Sequence, residues 1–230
     1  MKPAPAKTVD ATAFEDLGRA TLQIVHDLKN QLNGLKLYAT FLRKRLDREG
    51  QSVEERETLL KLIAGLDRAA KEMTALVRYA RPIDLRPRPY TDLRSIILGV
   101  IEEAASRGTG GLDRARIAPH ITGDPLFGEF DPAALTEAIK AVTDDVRGSV
   151  SPKDFHALSL HVRQDESTTQ RAIIEWRGGR LTGRNRTFPS SSGCGTVHTA
   201  LAAKIIEAHG GSLTCEGDLI RAWLPISKLS

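Results

Sequence analysis

Apolar residues recur at helical spacing along the first part of the chain and form one long stripe. Its members are Leu17, Ile24, Leu28, Leu35 and Leu42, with Val25, Leu32 and Leu46 beside them. This spacing predicts an amphipathic helix. Gly50-Gln51-Ser52 interrupts the pattern, and a second stripe runs from Leu59 to Val77. The two stripes predict a pair of helices joined by a short turn.

This helical hairpin is predicted over residues 11–82, and residues 1–10 before it are expected to be disordered. A lone hairpin buries little apolar surface, so stripes of this length need a second helix pair to cover them. A homodimer supplies that pair by forming a four-helix bundle.

Proline marks the end of the helical part, because Pro82, Pro87 and Pro89 follow one another closely. They predict a linker over residues 83–91. After it, helical and strand patterns alternate over residues 92–230, which gives an α+β fold class. Helices are predicted at residues 92–105, 131–146 and 196–208, strands at 116–118, 158–162, 171–176, 212–216 and 219–224, and a loop at 178–195.

Composition narrows the class of partner. The chain has 33 Lys and Arg against 29 Asp and Glu, a formal charge of +4, and the two signs alternate along it. This balance is typical of a solvated surface and does not indicate nucleic-acid binding. No apolar run reaches the ~18 residues of a membrane span, and no signal sequence is visible, so a cytoplasmic protein is expected. Cys194 and Cys215 lack CxxC spacing, so neither a disulfide framework nor a zinc site is indicated.

His26 is the candidate reaction centre of the helical part. It lies two residues from the apolar positions 24 and 28, about 200° around a helix, and should therefore point into water. Asn30 shares its face at i+4, and Asp27 can orient the imidazole or take its proton. An ordinary exposed histidine is the simpler interpretation of this pair alone, since short motifs are prone to false matches.

Gly34 lies on the same face as His26, at i+8. A glycine inside a helix costs roughly 1 kcal/mol relative to alanine, so its presence needs a reason. Clearance for a docking partner and close helix packing are two such reasons, and the sequence leaves both open.

The order of several motifs resembles the core of two-component sensor histidine kinases. His26-Asp27-Leu28-Lys29-Asn30 resembles the phosphoacceptor box of that family, and Asp131 with the apolar residues after it resembles the start of its N-box. Ala203 to Leu213, which contains His209-Gly210-Gly211, is similar to its last helix and the following strand. The resemblance implies a phosphoacceptor and dimerisation domain followed by an ATPase-like α/β sandwich.

The resemblance fails where ATP should bind. The N-box asparagines that hold magnesium and phosphate in the family are replaced by Ala141 and Asp145, and of these only Asp145 can ligate a metal. The Asp-x-Gly-x-Gly box is missing, since Glu175 has the wrong spacing to the glycines. Gly193 and Gly195 remain of the lid that cradles phosphates. The sandwich is therefore expected to be degenerate, with ATP binding lost, no tightly bound cofactor and no metal site.

These observations indicate a histidine phosphotransfer protein, of the type derived from the kinase core. His26 is expected to relay a phosphoryl group between receiver domains of response regulators, with Mg²⁺ supplied by the receiver. Lys29 is a candidate for stabilising phosphoryl charge, Asn30 for positioning water, and Gly34 for partner docking. Two alternatives stay open: a kinase core that autophosphorylates His26 with ATP, and an adaptor that binds response regulators without taking phosphate.

Overall fold

A computed structural model of the chain describes residues 7–46, 53–106, 117–121, 123–149, 158–167, 170–178 and 196–227. The chain forms two units, Met1–Arg81 and Pro82–Ser230. Within the described residues, five helices and a mixed sheet give an α+β protein, as predicted. None of these helices is long and apolar enough to cross a membrane.

Unit 1 is a helical hairpin of α1 (Lys7–Leu46) and α2 (Val53–Ala80). Lys36 of α1 and Asp67 of α2 form an ion pair of 2.5 Å. Because only a short segment separates the helices, this pairing makes them antiparallel neighbours. Glu54 and Glu55 lie in the first turn of α2 and Arg78 in its last turn, so both ends complement the helix dipole.

The apolar stripe of α1 divides into two lines with different burial. Val25 and Ala39 are buried and Leu32 is half-buried, which makes this line the side covered within the chain. The second line consists of Leu28, Leu35 and Leu42, whose exposed fractions are 41%, 55% and 47%. Positions seven apart stay on one side of a helix. One chain therefore leaves the Leu28–Leu35–Leu42 line largely uncovered.

Unit 2 contains two sheets and, in its described residues, three helices. Its elements are β1 (Arg88–Asp92), α3 (Leu93–Ser106), β2 (Ile117–Ile121), β3 (Phe127–Phe130), α4 (Pro132–Ser149), β4 (Leu158–Gln164), β5 (Arg171–Arg177), α5 (Val197–Ala208), β6 (Ser212–Glu216) and β7 (Leu219–Pro225). The larger sheet has the order β2-β4-β5-β7-β6, with β2 parallel to β4 and the other pairs antiparallel. The smaller sheet pairs β1 with β3.

The core of unit 2 lies between the helices and one face of the larger sheet, here called the inner face. The Trp176 indole of β5 donates a hydrogen bond of 3.0 Å to Thr143 Oγ1 of α4, which identifies that face. Side chains alternate along a strand. Ile174 therefore shares the inner face with Trp176, whereas Ile173 and Glu175 lie on the outer sheet face.

Asp131 joins three parts of unit 2. Its Oδ1 accepts hydrogen bonds from the N–H groups of Ala133 and Ala134 at 3.0 and 3.1 Å, so it caps α4 as predicted. Its Oδ2 accepts from the N–H of Arg86 at 2.9 Å, and its own N–H donates to Nε2 of His209 at 3.0 Å. The bond from Arg86, followed by the cap bonds, holds the pKa of the Asp131 carboxyl below its usual value.

Two regions differ from the sequence prediction. Residues 7–10, expected to be disordered, belong to α1, while residues 1–6 lie outside the described part. β1 falls largely within the predicted linker 83–91, and its partner β3 was not predicted either. Pro89 and the positive φ of Tyr90 (53°) hide β1 from strand patterns, since proline cannot donate to a ladder.

The disulfide expectation is wrong for Cys215, which is disulfide-bonded. Spacing along a chain does not reveal which cysteines meet in space. Cys194 and most of the predicted loop at residues 178–195 lie outside the described residues.

Candidate functional site

His26 lies on the solvent side of α1. Its side chain is 55% exposed and that of Asp27 is 58% exposed. The buried Val25 is about 100° away around the helix. The imidazole therefore points into water, as the spacing predicts.

The contacts of the His26 ring are made at Nδ1. Asp27 Oδ1 lies 3.5 Å from this nitrogen, and the Asn30 amide lies 3.4 Å from it. At these lengths both are weak, orienting contacts. The two contacts favour opposite tautomers, because the Asp27 carboxylate accepts from a protonated Nδ1, whereas the Asn30 amide nitrogen donates to an unprotonated Nδ1. Neither contact is made at Nε2.

The helix face that carries His26 continues into an apolar patch, which the sequence interpretation missed. Leu37 and Phe41 are 69% and 64% exposed. They lie 11 and 15 residues after His26, which places them within about 60° of it around the helix. We call His26, Asn30, Gly34, Leu37 and Phe41 the His26 face. Scanning this face beyond i+8 in the sequence would have found both residues.

Gly34 divides the polar and apolar parts of the His26 face. A Cβ added to it would meet nothing within 4 Å. Close packing within one chain therefore does not explain this glycine, and its alternatives are clearance for a docking partner and close packing against a helix of a second copy.

Lys29 lies at the border of this site. Its side chain is half-buried, and its position is about 60° from His26, on the side toward Val25. To stabilise phosphoryl charge, the Lys29 side chain would have to extend from the buried side of α1 toward His26. That role stays a prediction.

In unit 2, the carboxylate of Asp145 on α4 is hydrogen-bonded by side chains of the same chain. Its Oδ2 accepts hydrogen bonds from the hydroxyls of Thr196 and Thr199. Thr196 is also the N-cap of α5, accepting from the N–H of Thr199 at 3.1 Å. The carboxylate thus lies at a helix N-terminus, a position that favours anions. The one N-box residue able to ligate a metal is already hydrogen-bonded.

Trp176 lies near the end of β5, two residues before Gly178. Its side chain is 2% exposed and bonded to Thr143. Ala141 stands on the neighbouring helix, without a metal-binding group. Gly193 and Gly195 lie outside the described residues. Within the residues that the structure describes, no group of three or more His, Cys, Asp or Glu side chains is placed to hold a metal ion.

Glu175 faces the opposite side of the sheet from Trp176, because adjacent side chains alternate along β5. It lies on the outer sheet face and is 1% exposed, with Arg177 at 2.5 Å, Arg221 at 2.8 Å and Arg163 at 3.9 Å from its carboxylate. Burial raises the pKa of Glu175, but the hydrogen bonds from Arg177 and Arg221 outweigh it and hold the pKa below its usual value. Glu175 is an ionised, buried carboxylate.

Comparison with known proteins defines the class of fold. No protein-family model and no curated protein matches the chain. ShkA, solved at full length in complex with AMPPNP, matches with a TM-score of 0.63 and 17% identity, over 92% of this chain and 46% of that one. The histidine kinase AdeS of Acinetobacter baumannii matches with a TM-score of 0.52 and 16% identity, over 85% of this chain and 96% of AdeS.

The fold is therefore that of a sensor histidine kinase core. The chain spans less than half the length of ShkA. At these identities the likeness concerns the fold, and the chemistry has to be argued from the residues of this chain.

Proposed function

We propose that the chain is a histidine phosphotransfer protein of a two-component phosphorelay. His26 passes a phosphoryl group between the aspartates of receiver domains. The observation that carries this proposal is the state of the nucleotide side, where Thr196 and Thr199 hold the Asp145 carboxylate. This engaged carboxylate, together with an alanine at position 141, supports a phosphoryl donor other than ATP, and we propose that the donor is another protein.

Transfer begins when Nε2 of His26 attacks the phosphorus of a receiver phospho-aspartate. The Nε2–P bond forms while the P–O bond to the aspartate breaks, and the aspartate leaves as a carboxylate. Asp27 stabilises the charge on the imidazole through the Nδ1 proton. Attack by the aspartate of a second receiver reverses these bond changes, so the proton on Nδ1 is kept throughout. The receiver supplies the Mg²⁺ that neutralises the phosphoryl oxygens.

Receivers dock on the His26 face. Leu37 and Phe41 offer exposed apolar area next to the reactive nitrogen, and Gly34 leaves open space between them and Asn30. Exposed aromatic and aliphatic residues at the centre of a contact carry most of the binding energy in protein interfaces. The patch therefore supplies affinity while the polar end of the face supplies the chemistry.

The kinase alternative has an observation in its favour, because the fold also matches ShkA, whose structure contains AMPPNP. The phosphoryl donor distinguishes phosphotransfer from kinase activity, since the first uses a phosphorylated receiver and the second uses ATP. Purified protein should become acid-labile, base-stable phosphohistidine within minutes when mixed with a phosphorylated receiver and Mg²⁺. With labelled ATP and Mg²⁺ it should stay unlabelled. Labelling of His26 by ATP alone would establish the kinase, and labelling by neither donor would favour the adaptor.

The Leu28–Leu35–Leu42 line supports a homodimer, in which a second copy completes a four-helix bundle. Replacing Leu35 by glutamate should weaken this dimer by about a thousandfold, because each copy loses roughly 2 kcal/mol of leucine burial. Sedimentation equilibrium measures the change. Leu37→Glu is the matched control, since Leu37 lies about 200° away on the same helix. The control should stay dimeric but accept phosphate more slowly from the receiver.

A further inference from the structure

The outer sheet face of unit 2 carries an arrangement that phosphotransfer does not use. Glu175 lies at its centre on β5, opposite His161 of β4 and Arg221 of β7 in the strand register. Arg177 stands two residues along the same strand. No described helix of unit 2 covers this face, and its arginines reach solvent.

The charges on this face do not balance. Three guanidinium groups, those of Arg163, Arg177 and Arg221, approach the single carboxylate of Glu175. Their side chains are 40%, 54% and 43% exposed, so the positive ends reach the surface while the negative charge is buried. Each guanidinium has five N–H donors in a fixed fork, and Glu175 engages only some of them. The buried carboxylate therefore fixes an outward-facing set of donors.

Aromatic rings flank the Glu175–arginine cluster on both sides of the outer sheet face. His120 and His161 stack with ring centroids 4.5 Å apart. At the other end, the guanidinium of Arg171 lies 4.5 Å above the ring of Trp223, a cation–π contact that also keeps an arginine fixed. Glu216, at the end of the edge strand, and Asp165, whose N–H donates to the carbonyl of Arg171, are also placed on this face by the register. Four arginines against three carboxylates leave the face positive.

We propose that the outer sheet face is a docking surface for an acidic surface of a protein partner. The excess of fixed positive charge requires a negative complement. The face carries arginine and tryptophan, which are enriched in protein interfaces, whereas lysine is depleted there. Five strands of up to seven residues span roughly 20 by 20 Å, about half of the ~800 Å² that each partner contributes to a standard interface.

Binding to an acidic peptide tests this proposal on the full chain. The probe is a fluorescein-labelled peptide of about 20 residues, rich in Glu and Asp with interspersed Leu. The test variant is Arg163→Gln/Arg171→Gln, which keeps the two arginines closest to Glu175 and so preserves the fold. The matched control is Arg86→Gln/Arg88→Gln, which removes the same charge from outside the five-stranded sheet. Single-stranded RNA of similar charge is the competing probe.

The peptide is expected to bind with a Kd below about 100 μM at low salt. The Kd should rise at least about tenfold in the test variant and less than about twofold in the control. Equal losses in the two variants would mean unspecific attraction and would overturn the proposal. So would absence of binding, or tighter binding of RNA through the same arginines. His26 labelling should be unchanged in the test variant, so this proposal and the phosphotransfer proposal fail separately.

Discussion

Replacement of His26 by glutamine is expected to abolish phosphate acceptance from a phosphorylated receiver. The loss should be about a thousandfold or more, as for removal of any covalent nucleophile. Glutamine keeps a polar, exposed side chain on α1 but offers no nitrogen lone pair to phosphorus. Phosphate-affinity electrophoresis of the protein after mixing with labelled receiver measures the change.

His120→Gln is the matched control, because His120 is also exposed but lies on β2 of unit 2. It should accept phosphate at the normal rate. Residual labelling of His26→Gln at a rate similar to that of the control would mean that another residue is the acceptor. Binding of the receiver should persist in His26→Gln, since Leu37 and Phe41 remain in place.

The double substitution Arg177→Gln/Arg221→Gln is expected to destabilise unit 2 by about 3 kcal/mol or more. It leaves the buried Glu175 carboxylate without its two close partners, and an uncompensated buried charge is among the costliest single defects. Urea denaturation at neutral pH, followed by tryptophan fluorescence, measures the loss through Trp176 and Trp223. Arg163→Gln is the control, because its 3.9 Å contact is long and partly solvated, and it should cost less than about 1 kcal/mol.

The destabilisation should depend on pH with a defined sign. In the native protein the pKa of Glu175 is held below its ordinary value of 4.5, so the carboxylate contributes stability above that pH and loses it as the pH falls through the folded pKa. In the double variant burial acts without the arginines and raises the pKa, so protonation relieves the defect. The difference between the two proteins should shrink as the pH falls toward 4.5. A constant difference would contradict the assignment of Glu175 as the cause.

The helices follow from local pattern, because α1 and α2 repeat one spacing over many residues, whereas β5 follows from a short run rich in β-branched and aromatic residues. The exposure of His26 follows from the same periodicity. Other features depend on which residues meet across the sheet. The direction of Glu175 is set by the register of β5, and its arginines come from β4, β5 and β7. The capture of Asp145 joins α4 to the N-cap of α5, across 51 residues of sequence.

α1 presents two uncovered apolar sets on opposite sides, with Leu35 in one and Leu37 in the other. Substitutions in one set leave the other in place, because about 200° of helix separates them. On the proposed function, the choice of receiver and the choice of dimer partner would thus be set by different residues of one helix, positions 37 and 41 for the receiver and the Leu28–Leu35–Leu42 line for the dimer.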